Sequence, residues 1–258
     1  MTIIMSALVR VSAVSYLNTA PFVYGLQHSL FKHSFNLSLD YPAECSRKLL
    51  ENQVDVGLVP VASLLHLPEY YILSNYCLGT NGNVRTVSLL SNSPLDNVST
   101  IYLDFQSRSS NLLVQILAKQ FWKKDFSWEK PDRTLQPSEV KVDEAIIAIG
   151  DKVFANEDSY KYNIDLASEW GKYTSLPFVF AVWAANKRLP AEFEGNFNQA
   201  LKLGLGSIDE SIKSYNLGKL TKEEALFYLT HNISYNLDER KREALNLFLR
   251  LGKSISPG

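Results

Sequence analysis

Residues 9–27 read VRVSAVSYLNTAPFVYGLQ, and the way this run divides decides the fold. Its first six residues read as a strand by their apolar alternation. Pro21 stands where the first turn of a helix tolerates an imino acid, so FVYGLQ continues as that helix. A strand feeding a helix through a short loop is the opening half of an α/β unit. The loop carries Ser15, Asn18 and Thr19. Asn18 and Thr19 read in two ways, as caps on the helix start or as groups that face a ligand.

The alternation continues outward. LSLDYP (37–42) reads as a strand, AECSRKLLENQ (43–53) as a helix and VDVGLVP (54–60) as a short buried strand stopped by Pro60. YYILSNYCLG and VRTVSLL (84–90) flank TNGN, whose Asn81-Gly82 pair suits a hairpin or a tight loop. Thr86 lies within the second of these strands. SNSPLDNVS reads as a surface connection.

A second unit starts after it. TIYLDF (100–105) is a strand, QSRSS a polar loop, and NLLVQILAKQFW a helix by the spacing of Leu112, Leu113, Ile116, Leu117 and Phe121. EAIIAIG (144–150) has the unbroken apolar character of a strand buried on both faces. LASEW together with FVFAVWAAN (178–186) reads as the last strand-like run, and the chain from Pro190 onward is helical, with Thr221 and Glu224 spaced as a capping box. The fold class is α/β. Residues 1–91 with 180–258 are expected to form one discontinuous lobe and 92–179 a second, with a cleft between them and the terminal helices on the first.

Composition narrows the function. A chain of 258 residues, 46% hydrophobic, can bury a sizeable core, and 26 basic against 27 acidic residues, with no basic run, exclude a nucleic-acid partner. Cys45 and Cys77 and the four scattered histidines lack metal-ligand spacing, which predicts free thiols and no metal. No 18-residue apolar run occurs and MTIIMSALVRVSAV does not read as a leader, so no membrane partner and a cytoplasmic location are expected. Glycine-rich phosphate loops, Ser/His/Asp order and paired carboxylates are missing too, and no cofactor is expected.

What remains is a set of polar loops after strands: SYLNTAP, QSRSS and GDKV. Ser107, Ser109 and Ser110 supply more hydroxyls than one cap requires, Arg108 reads as a solvated or a ligand-facing cation, and Asp151 as a turn former or a cap. Unpaired N–H groups at a helix start attract anions. The residues alone thus indicate a two-lobed binder of a small anionic molecule.

Six blocks, VSYLNTAPFVYGL, VDVGLVPVA, SNYCLGTNGNVRTVSLLS, LDFQSRSSNLLVQIL, IAIGDKVF and DLASEWGKYTSLPFVFAVWAANK, resemble in order the chorismate dehydratase family of the futalosine route to menaquinone. The resemblance implies a two-lobed fold like type II periplasmic binding proteins and the loss of water from chorismate to give 3-[(1-carboxyvinyl)oxy]benzoate, without a cofactor. It places the family's active-site asparagine on Asn18 and a strand hydroxyl on Thr86, where relatives often carry serine. A serine-arginine-threonine-serine loop falls on Ser107-Arg108-Ser109-Ser110, with Ser15, Thr19 and Asp151 as further substrate-binding candidates. A solute receptor on the same fold would be exported. The sister 1,4-dihydroxy-6-naphthoate synthase resembles a PCPND-type loop in place of SYLNT, and a sensing domain would carry a helix-turn-helix segment before the lobes.

Overall fold

The computed structural model describes residues 8–133, 135–213 and 215–255, without the side chains of Asp151 and Glu157. The start of the chain, read above against a leader, lies outside the described residues. The elements run β1 (Val9–Val14), α1 (Ala20–His28), β2 (Phe35–Asp40), α2 (Pro42–Leu50), β3 (Val56–Pro60), β4 (Tyr71–Thr80), β5 (Val87–Ser91), β6 (Thr100–Tyr102), α3 (Arg108–Leu117) and β7 (Ser127–Glu129). They continue with β8 (Glu144–Ile149), α4 (Asp151–Asn156), β9 (Tyr162–Asp165), α5 (Leu166–Thr174), β10 (Phe178–Ala185), α6 (Ala191–Leu205), α7 (Ile208–Ser211), α8 (Lys222–Phe227), β11 (Ser234–Asn236) and α9 (Glu239–Ile255).

Two mixed sheets result. One has the order β11-β4-β10-β3-β1-β2 and the other β7-β6-β8-β5-β9. In the first, β1 is parallel to β2 and β3, while β10 runs antiparallel to β3 and β4. In the second, β6 is parallel to β7 and β8, while β5 runs antiparallel to β8 and β9. The unbroken apolar runs do what their composition requires: β3 and β8 are buried at every residue.

The sheets correct two readings of the sequence. β4 and β5 are not a hairpin, because β4 pairs with β10 and β11 and β5 pairs with β8 and β9. The TNGN segment instead carries the chain from one sheet to the other, tied by Thr80 Oγ1, which accepts from Gly82 N at 3.2 Å. Val87–Ser91, grouped above with the first lobe, therefore belongs to the second sheet. LASEW, read with the strand-like run, is helix: Asp165 Oδ1 accepts from Ser168 N at 2.9 Å and starts α5. The capping box at α8 is present, with Thr221 Oγ1 accepting from Glu224 N and Glu224 Oε2 from Thr221 N. The terminal helices span more than was expected: α6 lies on α1, but α9 reaches α3 as well as β10.

α1 and α6 cross at backbone contact. A Cβ built on Gly204 would sit 1.7 Å from Pro21 O, and one on Gly25 2.0 Å from Ala200 O. Where the chain returns to the first sheet, Trp170 donates to Pro177 O at 3.0 Å and packs edge-on against Phe178 and Phe248. Cys45 and Cys77 are buried free thiols, pushed up to about 12 by burial, which leaves them inert. Among the described residues no helix is long and apolar enough to cross a membrane.

The end of the first sheet away from the interlobe face is held by Asp55. It accepts from Arg10 N, Nε and Nη2 and from Lys187 Nζ, and so joins the starts of β1 and β3 to the end of β10. Burial alone would raise this carboxyl, but the hydrogen bonds from Arg10 and Lys187 outweigh it and hold the group well below the usual range. A lowered folded pKa gives stability that is present above the unfolded value of about 4 and lost as pH falls below it. Asp55→Asn is expected to cost about 2–3 kcal/mol at pH 7. Urea unfolding at pH 7 and pH 3 checks this: the difference between wild type and variant should shrink at the lower pH.

Candidate functional site

A cavity with about 590 Å³ of free space, part of it open to solvent, lies between the two sheets. It is reached by the carboxyl ends of β1, β3 and β8 through Val14, Pro60 and Ile149, and by the start of β5 through Val87. Ligand sites of α/β folds favour this position because the loops there point away from the sheet core. Asn18, Thr86, Ser107, Ser109 and Ser110 line it.

The loop after β1 reaches α1 through a 3-10 turn, Leu17–Thr19. That turn spends the N–H groups of Thr19 and Ala20 on Tyr16 O and Leu17 O, so the start of α1 is not the open anion site its sequence suggested. Thr19 occupies the cap position of α1 but makes no side-chain cap bond. Its buried hydroxyl instead donates to Asn18 Oδ1 at 3.1 Å. With the amide oxygen engaged, Asn18 offers the cavity its Nδ2 donors, and its carbonyl is fixed by Tyr235 Oη at 3.1 Å. Thr19 therefore positions Asn18 and does not face the cavity. Ser15 is exposed and opens into a separate pocket beside Tyr24, His28 and Tyr215.

The start of α3 is organised differently. Ser107 caps the helix by accepting from Ser110 N at 3.3 Å and donates to Ser110 Oγ at 2.8 Å. Ser110 thus keeps its own proton for a ligand. Ser109 borders the cavity, yet its hydroxyl is committed across the lobes, donating to Phe180 O at 3.0 Å and accepting from Ala62 N at 3.2 Å. Arg108 is exposed and does not line the cavity. At the helix start its side chain projects about 200° round the axis from Ser110, which carries it to the solvent face.

Thr86 is not inside a strand but in the bend before β5. The bend is pinned by Asp165 Oδ2, which accepts from Val84 N at 3.0 Å and Arg85 N at 2.7 Å. Burial raises the Asp165 carboxyl against the pull of these N–H groups. Thr86 Oγ1 lies 2.8 Å from Tyr228 Oη. Asp151 opens α4, and its side chain lies outside the described residues.

Sequence reasoning passed over Tyr16, Gln106, Gly150 and Tyr228. Tyr16 Oη donates to Gln106 Oε1 at 3.1 Å, joining the loop after β1 to the loop after β6 across the cleft. The Tyr16 ring rests on Gly150, where φ is +58° and a Cβ would lie 3.2 Å from Cδ2. A glycine ending an apolar strand was a signal for that approach. An aromatic residue inside a polar loop was a signal for Tyr16. Gln106 is anchored by Asp104, which accepts from its N–H at 2.7 Å and from Lys152 Nζ at 3.1 Å. No carboxylate, imidazole, amine or thiol lines the cavity among the described residues.

The profile of a family described as menaquinone biosynthesis matches residues 9–254, every loop of the cavity included. The chain belongs to the menaquinone biosynthesis family. Within reach of this family assignment stand two curated relatives. The chorismate dehydratase of Thermus thermophilus is 25% identical over 94% of each chain. That of Campylobacter jejuni is 23% identical over 94% of this chain and 97% of its own. In solved structures the fold recurs in an Archaeoglobus fulgidus protein at a TM-score of 0.78 and 20% identity, covering 97% of this chain and 98% of that one. It recurs also in a Candida albicans protein described as having the generic periplasmic binding protein fold, at a TM-score of 0.70 and 14% identity, covering 98% and 92%. The likeness to these solved structures bears out the α/β fold of periplasmic-binding-protein type expected from the sequence.

Proposed function

We propose that this chain is a chorismate dehydratase, a carbon-oxygen hydro-lyase that converts chorismate to 3-[(1-carboxyvinyl)oxy]benzoate and water for menaquinone biosynthesis. The observation that carries the reading is the match to the two chorismate dehydratases along nearly the whole of both partners.

The chemistry suits the cavity. Chorismate has a ring carboxylate and an enolpyruvyl carboxylate. One is assigned to the start of α3, where Ser110 and the first N–H groups of a ten-residue helix attract an anion. Asn18 Nδ2 and the Thr86 hydroxyl are assigned to the departing ring hydroxyl and the adjacent carboxylate. The C–H bond at the carbon bearing the enolpyruvyl ether breaks, and its electron pair forms the new ring π bond as the C–O bond to the hydroxyl breaks. The proton and the hydroxide leave as water, and the ring becomes aromatic.

With no side-chain base among the described cavity residues, the substrate's enolpyruvyl carboxylate is assigned as the proton acceptor. The protein then contributes orientation and hydrogen bonds to developing charge. Tyr16, which lines the cavity and donates to Gln106 across the cleft, is assigned to pack over the ring.

Incubating the purified chain with chorismate tests the reading by mass spectrometry. A product lighter by one water with a benzoate absorbance is expected. Unchanged chorismate at high protein concentration overturns it.

A further inference from the structure

Two irregular backbone segments from distant parts of the chain meet at one hydroxyl in the cavity wall. The first is the bend at Val84–Thr86. Arg85 has φ +65°, a left-handed conformation that costs a non-glycine residue about 1 kcal/mol and persists only where its surroundings over-determine it. The N–H groups of Val84 and Arg85 are held by the Asp165 carboxylate. The second is the π-helical turn Tyr228–Asn232, which follows α8. Such turns are rare and concentrate at functional sites.

The π turn grips the bend at both ends. Asn232 Nδ2 donates to Asn83 O at 3.1 Å, and Tyr228 Oη lies 2.8 Å from Thr86 Oγ1. Tyr228 and Thr86 are each 1% exposed. Phe154 completes the ring of contacts: it packs edge-on against Tyr228 at 5.4 Å and carries the Arg85 guanidinium over its face at 5.0 Å. An ordinary strand start would require none of this. The arrangement fixes where the Thr86 oxygen sits and who shares its protons.

We infer that Tyr228 is a positioning residue for the dehydration: it donates its hydroxyl proton to Thr86 Oγ1, so that Thr86 turns its own proton into the cavity. Proton count decides the direction of this bond. A hydroxyl pair holds two protons, and only one can lie between the oxygens. If Thr86 donated to Tyr228, it would show the substrate only lone pairs, which repel a carboxylate or a departing hydroxide. Chorismate carboxylates accept and cannot donate, so the bound substrate selects the arrangement in which Tyr228 donates. Tyr228 touches no substrate atom in this scheme and acts through Thr86.

The inference rests on the proposed reaction, and the test separates the two. Wild type, Tyr228→Phe, Thr86→Val, the double variant and Thr86→Ser are compared for kcat and KM with chorismate and for Tm. Tyr228→Phe keeps the ring contact with Phe154 and is expected to lower Tm by no more than about 4 °C, the cost of one buried hydrogen bond in a chain of this size. Its kcat is expected to fall about 10-fold, with KM moving less than about 3-fold, as for loss of a group that acts mainly in the transition state. Thr86→Val is expected to lose at least as much, and the double variant no more than Thr86→Val alone, because Tyr228 has nothing left to orient. Thr86→Ser should restore most of the rate. Losses that multiply in the double variant, or a Tyr228→Phe enzyme with wild-type kcat, overturn the inference while the dehydratase reading stands. A wild-type chain that leaves chorismate unchanged overturns both.

Discussion

Replacing Asn18 with alanine is expected to cut chorismate turnover about 100- to 1,000-fold, the range seen when one preorganised donor to developing charge is removed. Stability should hardly change. Asn18 is half-buried, and its backbone is held by Tyr235 through the carbonyl, which alanine keeps. What alanine removes is the amide that Thr19 orients by donating to its oxygen. Thr19→Val is expected to show a weaker version of the same defect, since the amide survives but can rotate. Steady-state kinetics with Tm as the control checks this. Turnover within about 3-fold of wild type for Asn18→Ala would mean that a residue other than Asn18 carries the transition-state interaction.

The second large effect lies in the scaffold. Gly204→Ala is expected to destabilise the protein by more than about 4 kcal/mol, a size reserved for severe overpacking or buried polar defects. Its Cβ would meet Pro21 O at 1.7 Å, and the neighbouring atoms it strikes are backbone and have no rotamer to change. Relief would require α1 and α6 to part, and α1 begins two residues after Asn18. Any folded fraction should therefore be poorly active. Gly195 on the same helix is the control, because a Cβ there meets nothing within 4 Å. Gly195→Ala is expected to raise stability by up to about 1 kcal/mol, the helix-propensity difference between the two residues. Thermal melts of the two variants decide it. Similar behaviour would show that helix propensity matters here more than the close crossing.

The sequence displayed the parts whose burial is local. β1, β3 and β8 were readable from apolar alternation or unbroken apolar runs, and Ser107 from its place before an amphipathic helix. Pairing was less accessible. Tyr71–Thr80 and Val87–Ser91 look like the arms of a hairpin around Asn81-Gly82, but each finds better partners in a different sheet, and those partners lie far along the chain. β7, β9 and β11 have three or four residues each, too few to establish a period.

The candidate site divides along the same line. Ser110 and Asn18 come from loops whose composition announced them. Arg108 was drawn in by its neighbours, although the helix turns it to solvent. Thr19 was expected to cap or to bind and instead orients Asn18. Ser109 spends its hydroxyl on Phe180 and Ala62, partners that only the interlobe packing brings near. Tyr228 had no local signal at all, because its relation to Thr86 exists only once α8 and the π turn fold back across the bend between the sheets.

The claim on which all of this depends is that the cavity between the two sheets is where chorismate is held. The most direct measurement is a crystal structure of Asn18→Ala soaked with chorismate. The account predicts the ring beneath Tyr16, with one carboxylate within hydrogen-bond distance of Ser110 and the first N–H groups of α3 and the other beside Thr86. Chorismate seated in the pocket beside Tyr24, His28 and Tyr215, or an empty interlobe cavity at saturating concentration, would contradict it.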